Sequence, residues 1–223
     1  SAVFILQPGF KTIARMRPWL WEFMAWAAKE WNLIQDWYWV NTASFPTVCA
    51  TQWGLGRSAV KVCVWLGSPD CYRNQDAVLW EASEAQKKLE QMTARSRANV
   101  DADPLRYHPS GAHIRKGRTA ASSEARNGVT PLNIIPIPNT NSATSGGAHG
   151  HGAATPLSLC EFWVKYISPV GRIVLDPFCG SGTTGIAAYR HGRLFLGIEK
   201  ESNYVEIART QFARLFTKHS VSA

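Results

Sequence analysis

Residues 172–188 read Arg-Ile-Val-Leu-Asp-Pro-Phe-Cys-Gly-Ser-Gly-Thr-Thr-Gly-Ile-Ala-Ala, and this stretch decides the fold. Its first four residues predict a strand, and its glycines predict a turn that opens a helix ending near His191. Glycines permit a tight turn and a close approach of the backbone to a ligand. The first N–H groups of the helix can face an anion. The stretch therefore predicts a strand, a ligand-binding turn and a helix.

The same order of elements follows immediately. Residues 194–198 form a second apolar run, Glu199 ends it, and residues 202–216 predict a closing helix. One face of that helix is expected to carry Tyr204, Ile207, Ala208 and Phe212. Alternating strands and helices indicate a parallel α/β unit. An acid about 20 residues after the glycine turn can accept hydrogen bonds from ribose hydroxyls, so the pattern favours a nucleoside-containing cofactor.

Two common glycine motifs do not fit. The spacing lacks the third glycine of a dinucleotide fingerprint, because Gly185 comes directly after Thr184. No lysine follows Gly182, so the turn is not a P-loop.

Residues 175–188 resemble the cofactor motif of the DNA adenine-N6 and cytosine-N4 methyltransferases. Residues 192–200 are similar to the next segment of that family, and residues 154–160 resemble the segment that packs over the methionine end of the cofactor. Many members begin that segment with His-x-x-x-Lys-Pro, whereas Thr155 replaces the lysine here. Residues 71–79 look like a stretch that precedes the target-recognition region.

The resemblance implies an α/β, Rossmann-like, S-adenosylmethionine-dependent methyltransferase fold in the permuted order. We expect part of the catalytic half at 1–97, a target-recognition or flexible insert at 98–153, and the cofactor-binding half at 154–223. By resemblance, the glycine loop holds the methionine part of S-adenosylmethionine and the acid holds its ribose. The expected cofactor-binding residues are Asp176, Pro177, Phe178, Cys179, Gly180, Ser181, Gly182, Thr183, Thr184, Glu199, Lys200, Thr155, Pro156, Leu157 and Ser158.

The catalytic motif of this family is (Asp, Asn or Ser)-Pro-Pro-(Tyr, Phe or Trp), which binds a flipped-out base and accepts its amino hydrogens. The sequence has no Pro-Pro pair, so no catalytic residue is assigned. By the family pattern, the strand that carries the motif lies between the strand of Leu175 and the strand of Ile5. We therefore expect an incomplete sheet and a fragment of a DNA methyltransferase. The alternatives are a non-catalytic DNA- or cofactor-binding remnant, a complex of two pieces, or an enzyme that acts on RNA or a small molecule.

The net charge of +8 favours a polyanionic partner, and we expect double-stranded DNA. A restriction endonuclease or a homodimer partner is also considered. The expected DNA-binding residues lie in the polar middle segment and are Arg106, Arg115, Lys116, Arg118 and Arg126. The alternative for this segment is a solvated, disordered loop.

Further elements are predicted along the chain. Strands are expected at 2–6, 36–40 and 59–66, an edge strand at 131–136, and helices at 18–31, 82–97 and 156–167. Most of the ten tryptophans are expected to be core or helix-packing residues.

The remaining composition favours a cytoplasmic protein. The sequence contains no run of about 18 apolar residues, so no membrane span is predicted. Five cysteines without a C-x-x-C pair indicate reduced thiols and no zinc site. His149 and His151 lie among glycines and are interpreted as a flexible loop, and Cys179 is interpreted as a packing residue.

Overall fold

The computed structural model describes residues 1–7, 9–12, 15–42, 58–81, 128–139 and 155–220. The chain divides into two compact units. The larger unit comprises residues 1–74 and 132–223, and the smaller unit comprises residues 75–131. The predicted helix at 82–97 lies outside the described residues. In the smaller unit, a 3-10 turn spans Gln75–Val78, and Trp80 forms an antiparallel bridge with Val129.

The elements of the larger unit follow the predicted order, with two additional short strands, at Phe10–Thr12 and Arg15–Met16, that were not predicted. They are β1 (Ala2–Leu6), β2 (Phe10–Thr12), β3 (Arg15–Met16), α1 (Trp19–Glu30), β4 (Leu33–Val40), β5 (Val60–Leu66), β6 (Ile134–Pro136), α2 (Leu157–Ile167), β7 (Ile173–Asp176), α3 (Thr183–Arg190), β8 (Leu194–Gly197) and α4 (Ser202–Ser220). Among the helices in the described ranges, none is long and apolar enough to cross a bilayer.

A four-stranded sheet has the order β1-β5-β4-β6. The first three strands are antiparallel, and β6 runs parallel to β4 at the edge. The short strand between prolines is therefore an edge strand, as predicted. Strand β4 begins three residues earlier than expected, because Leu33 pairs with Leu66 across a register shift.

Helix α1 covers one face of this sheet through Leu20 and Ala27, which pack with Val62, Val64 and Leu66. The opposite face carries Trp37, Trp39 and Trp65, which are buried. Four other tryptophans are exposed by 37–60%, so the expectation that they lie in the core is wrong for Trp19, Trp21, Trp26 and Trp31. Trp19, Trp21 and Trp26 lie on α1 outside the stripe of Leu20 and Ala27 that faces the sheet, and Trp31 follows the end of the helix.

The second sheet consists of the parallel pair β7 and β8. Helices α2 and α3 cover one of its faces, where Val174 packs against the core residues Cys160, Val164 and Ala187. The opposite face is apolar, and each of its four residues is 55–63% exposed. We call it the bare face, and it consists of Ile173, Leu175, Leu194 and Leu196.

Helix α2 contacts both sheets. Its residues Trp163 and Tyr166 pack edge-on against Trp37 of β4, and its Cys160 and Val164 pack near Val174 of β7. No strand pairing joins the two sheets within the described ranges. The result is a mixed α/β, Rossmann-like arrangement with an open, divided sheet.

Candidate functional site

The segment at residues 176–184 runs from the last residue of β7 into the first turn of α3, and its glycines allow a sharp turn between them. We call it the glycine loop. Gly180 and Gly182 have φ angles of 51° and 84°, in the left-handed region that a Cβ atom disfavours. Asp176 accepts a hydrogen bond of 3.0 Å from the N–H of Phe178, and the N–H of Gly182 donates to the carbonyl of Cys179 at 2.8 Å. These contacts turn the chain sharply from β7 into α3.

Glu199 closes on the glycine loop from the end of β8. Its Oε2 accepts a hydrogen bond of 2.8 Å from the N–H of Gly180. Its Oε1 accepts from the N–H groups of Lys200 and Glu201 at 2.9 and 3.0 Å. The acid and the turn, 19 positions apart in sequence, are thus brought together.

Helix α3 begins at the end of this loop without a side-chain cap on its N-terminus. The first N–H groups of a helix carry partial positive charge and suit an anionic ligand. Gly185, one turn in, allows the helix to approach its neighbours closely. A Cβ atom at this position would lie 2.5 Å from ring atoms of both Phe195 and Phe212. Gly185 therefore serves close helix packing although it does not match the fingerprint spacing.

An open cavity of about 720 Å³ lies between β8 and α4, beside Glu199. Its wall is mostly apolar and includes Phe195, Val205, Ala208, Phe212 and Ala213. Cavities of this size accommodate small organic ligands.

Cys179 also lines this cavity. Burial raises the pKa of its thiol, and the nearby carboxylates of Asp176 and Glu199 raise it further. A raised pKa keeps the sulfur protonated and a poor nucleophile. This supports the interpretation of Cys179 as a packing residue.

The predicted segment 155–158 leads into α2. Pro156 is buried and occupies the N-cap position, one residue before the first helical residue. In the first turns of the two helices, Cys160 Sγ lies 3.8 Å from Thr184 Oγ1. The segment is therefore anchored beside the start of α3, next to the glycine loop.

Some predicted cofactor residues point to solvent. Phe178 is 85% exposed, and Lys200 and Ser158 are exposed. The predicted DNA-binding residues Arg106, Arg115, Lys116, Arg118 and Arg126 lie outside the described residues, as do His149 and His151. Where the structure is described, no group of three His, Cys, Asp or Glu side chains is arranged to hold a metal ion.

Two partly buried contacts were not predicted, one at the site and one at the opposite end of the second sheet. Gln211 on α4 donates a hydrogen bond of 2.9 Å to the carbonyl of Ser181. Arg193 is 8% exposed and donates to the carbonyls of Ser168 and His191, so it ties together the loops after α2 and α3. Gln211 had a sequence signal, since it lies three positions after Ala208 and one before Phe212 on the helix face that was expected to be apolar.

Comparison with known proteins places this site in context. A family model described as DNA methylase matches residues 1–210. Type II methyltransferase M.PvuII of Proteus hauseri is 27% identical over 199 residues, which cover 81% of this chain and 54% of that protein. Type II methyltransferase M.ScaI of Streptomyces caespitosus is 30% identical over 117 residues, which cover 48% of this chain and 38% of that protein.

Solved structures agree in fold. PvuII DNA methyltransferase (cytosine-N4-specific) has a TM-score of 0.65 at 18% identity, covering 94% of this chain and 62% of its own. A complex of M1.HpyAVI with SAM has a TM-score of 0.53 at 16% identity, covering 94% of this chain and 72% of its own. The chain thus spans about half the length of M.PvuII.

Proposed function

This chain belongs to the DNA methylase family, and from that membership we propose that it forms the cofactor-binding part of an S-adenosylmethionine-dependent methyltransferase. The proposed substrate is adenine N6 or cytosine N4 in double-stranded DNA. The observation that carries the proposal is the contact between the Gly180 N–H and the Glu199 carboxylate. This contact brings the acid at the end of β8 next to the glycine turn after β7. A nucleoside with an anionic tail would contact both.

The residues present fit this cofactor. The start of α3 lacks a side-chain cap and suits the methionine carboxylate. A carboxylate oxygen has room for more than one hydrogen bond, so ribose hydroxyls can donate to Glu199 beside the backbone N–H groups. When bound, S-adenosylmethionine supplies an electrophilic methyl group. The segment 155–158 would border the other end of the cofactor.

Methyl transfer also requires groups that hold the base and accept its amino hydrogens. The sequence has no Pro-Pro-aromatic motif. We propose that a segment outside these 223 residues carries it, on a strand that pairs with β7. The bare face supports only the wider proposal that this sheet belongs to a larger domain, because parallel sheets of α/β proteins are normally covered on both faces.

The second candidate function is a non-catalytic remnant that binds cofactor or DNA. The absence of the motif from these residues favours this second function as much as it favours an enzyme that carries the motif elsewhere. The DNA sequence directly upstream of the Ser1 codon distinguishes the two. An in-frame Pro-Pro-aromatic motif supports the enzyme, whereas a stop codon followed by a start near Ser1 supports the remnant.

DNA binding is proposed for the insert at 98–153, between the halves at 1–97 and 154–223. Its charge supports this, since the basic residues named above would contact phosphates. We also propose two protein partners, a restriction endonuclease and a second copy of the chain. Because the proposed substrate is cellular DNA, we propose that the protein is cytoplasmic.

Calorimetric titration of S-adenosylmethionine into the chain tests the cofactor site. We expect saturable binding that Asp176→Ala and Glu199→Ala each weaken by at least about tenfold, since charge-assisted hydrogen bonds are lost. Glu201→Ala is the matched control, because that carboxylate is exposed and two positions away. A folded wild-type chain that binds no cofactor would refute the assignment.

A further inference from the structure

Helix α4 reaches the glycine loop through one polar side chain. Gln211 Nε2 donates to the carbonyl oxygen of Ser181 at 2.9 Å, across 30 positions of sequence. Ser181 is 3% exposed, so water has little access to replace this donor. A buried carbonyl that loses its hydrogen bond is destabilised.

The position of that carbonyl controls the shape of the loop. It belongs to the peptide group that joins Ser181 to Gly182, and a planar trans peptide points its C=O and N–H in opposite directions. The N–H of the same group donates to the Cys179 carbonyl at 2.8 Å. Both ends of the peptide plane are therefore held. One of the two torsions that rotate this plane is the φ angle of Gly182, and glycine allows that torsion a wide range once one end is released.

Neighbouring residues of α4 set the distance between helix and loop. A Cβ atom at Gly182 would lie 3.1 Å from Ala208 Cβ and 3.3 Å from the ring of Phe212. Ala208, Gln211 and Phe212 are spaced i, i+3 and i+4, so they share one helix face. Apolar contact thus holds the helix against the loop, and the Gln211 amide adds a directional bond.

We propose that Gln211 is a positioning residue for the glycine loop. Its side chain holds the Ser181–Gly182 peptide in the orientation that presents the loop and the start of α3 to the cofactor. The inference rests on the proposed function for its ligand, but the order of the loop is a property of the chain alone. Cutting the bond leaves a loop that must be ordered during binding, and this ordering lowers affinity.

The test compares four proteins, namely the wild type, Gln211→Leu, Gln211→Arg and Thr210→Ala. Leucine removes the donor at similar volume, whereas arginine restores N–H donors on a longer side chain. Thr210 is exposed on the same helix and serves as the matched control. Two quantities are measured, namely amide hydrogen exchange of the glycine loop without ligand and the dissociation constant for S-adenosylmethionine.

We expect Gln211→Leu to speed exchange in the glycine loop at least about tenfold, leave exchange in β4 and β5 unchanged, and weaken cofactor binding about tenfold. Arginine should restore both quantities toward wild type, and Thr210→Ala should change neither. Unchanged loop exchange in Gln211→Leu would overturn the proposal.

The two arms separate this proposal from the proposed function. A wild-type chain that binds no S-adenosylmethionine refutes the cofactor assignment, and loop exchange then decides the role of Gln211 alone. If Gln211→Leu exchanges rapidly throughout the chain, Gln211→Met takes its place, because the unbranched methionine side chain follows the shape of glutamine more closely and also has no donor. Faster exchange confined to the loop in that variant supports the proposal, and exchange equal to wild type overturns it.

Discussion

The Glu199 carboxylate accepts a hydrogen bond of 2.8 Å from the backbone N–H of Gly180, so the end of β8 is tied to the loop after β7 before any ligand arrives. Two further backbone N–H groups, of Lys200 and Glu201, donate to the same carboxylate. One side chain therefore organises two segments that we propose to meet on the cofactor.

This relationship predicts a stability effect in the absence of ligand. Glu199→Gln keeps the shape of the side chain but removes its charge and one acceptor oxygen. We expect the free energy of unfolding to fall by about 1.5–3 kcal/mol, the range for hydrogen bonds to charged groups. Urea denaturation measures it, with Glu201→Gln as the exposed control. Equal midpoints for Glu199→Gln and wild type would contradict the structural role.

Gly185→Ala should destabilise the cofactor-binding part. The new methyl group would lie 2.5 Å from the rings of Phe195 and Phe212, and the two rings stack on each other at 5.9 Å between centroids. Overpacking of this kind costs about 1–3 kcal/mol. Thermal unfolding measures the loss. Gly9→Ala is the matched control, because a Cβ atom there meets nothing within 4 Å.

The cysteines should differ in reactivity. Burial raises the pKa of Cys63 and of Cys160 to about 12. At pH 8 only about one such thiol in 10,000 is ionised, so both should resist iodoacetamide, while the half-buried Cys71 and Cys179 react faster than these two. The thiolate fraction rises tenfold per pH unit below the pKa, so modification should accelerate from pH 7 to 9.

Mass spectrometry of alkylated peptides checks the order of reaction. S-adenosylmethionine should slow modification of Cys179, which lines the cavity beside Glu199, and leave Cys71 unaffected. Equal protection of both thiols would indicate a general effect on the fold and not occupancy of the site.

The two faces of the second sheet should respond differently to charge. Leu175 is 57% exposed on the bare face, so Leu175→Lys should change the free energy of unfolding by less than about 0.5 kcal/mol. Val174, its neighbour on the covered face, packs against Cys160 and Val164. Val174→Lys buries an unpaired charge and should cost more than about 3 kcal/mol. Equal losses in the two variants would mean that the bare face is covered in the folded protein.

Periodicity was sufficient to predict most of the described elements. Strands β1 and β5, helix α2 and the alternating elements from β7 to α4 lie within a few residues of their predicted bounds. These segments are apolar at regular intervals, so local sequence and burial agree. The expectation that most tryptophans lie in the core failed on α1, where Trp19, Trp21 and Trp26 are exposed while Leu20 and Ala27 face the sheet. A tryptophan is buried only if another element packs on its side of the helix, and residue type alone does not decide that.

The sequence by itself determined the strand–turn–helix unit, the pairing of a glycine turn with Glu199, and the absence of a Pro-Pro-aromatic motif, since each is a matter of residue type and spacing. Only the tertiary structure decided that Glu199 closes on Gly180, that Gln211 holds Ser181, and that one face of the second sheet is bare. The physical reason is that these relationships join residues 19 and 30 positions apart, or arise from strands without a covering layer. They depend on how helices and strands pack, which no local pattern encodes.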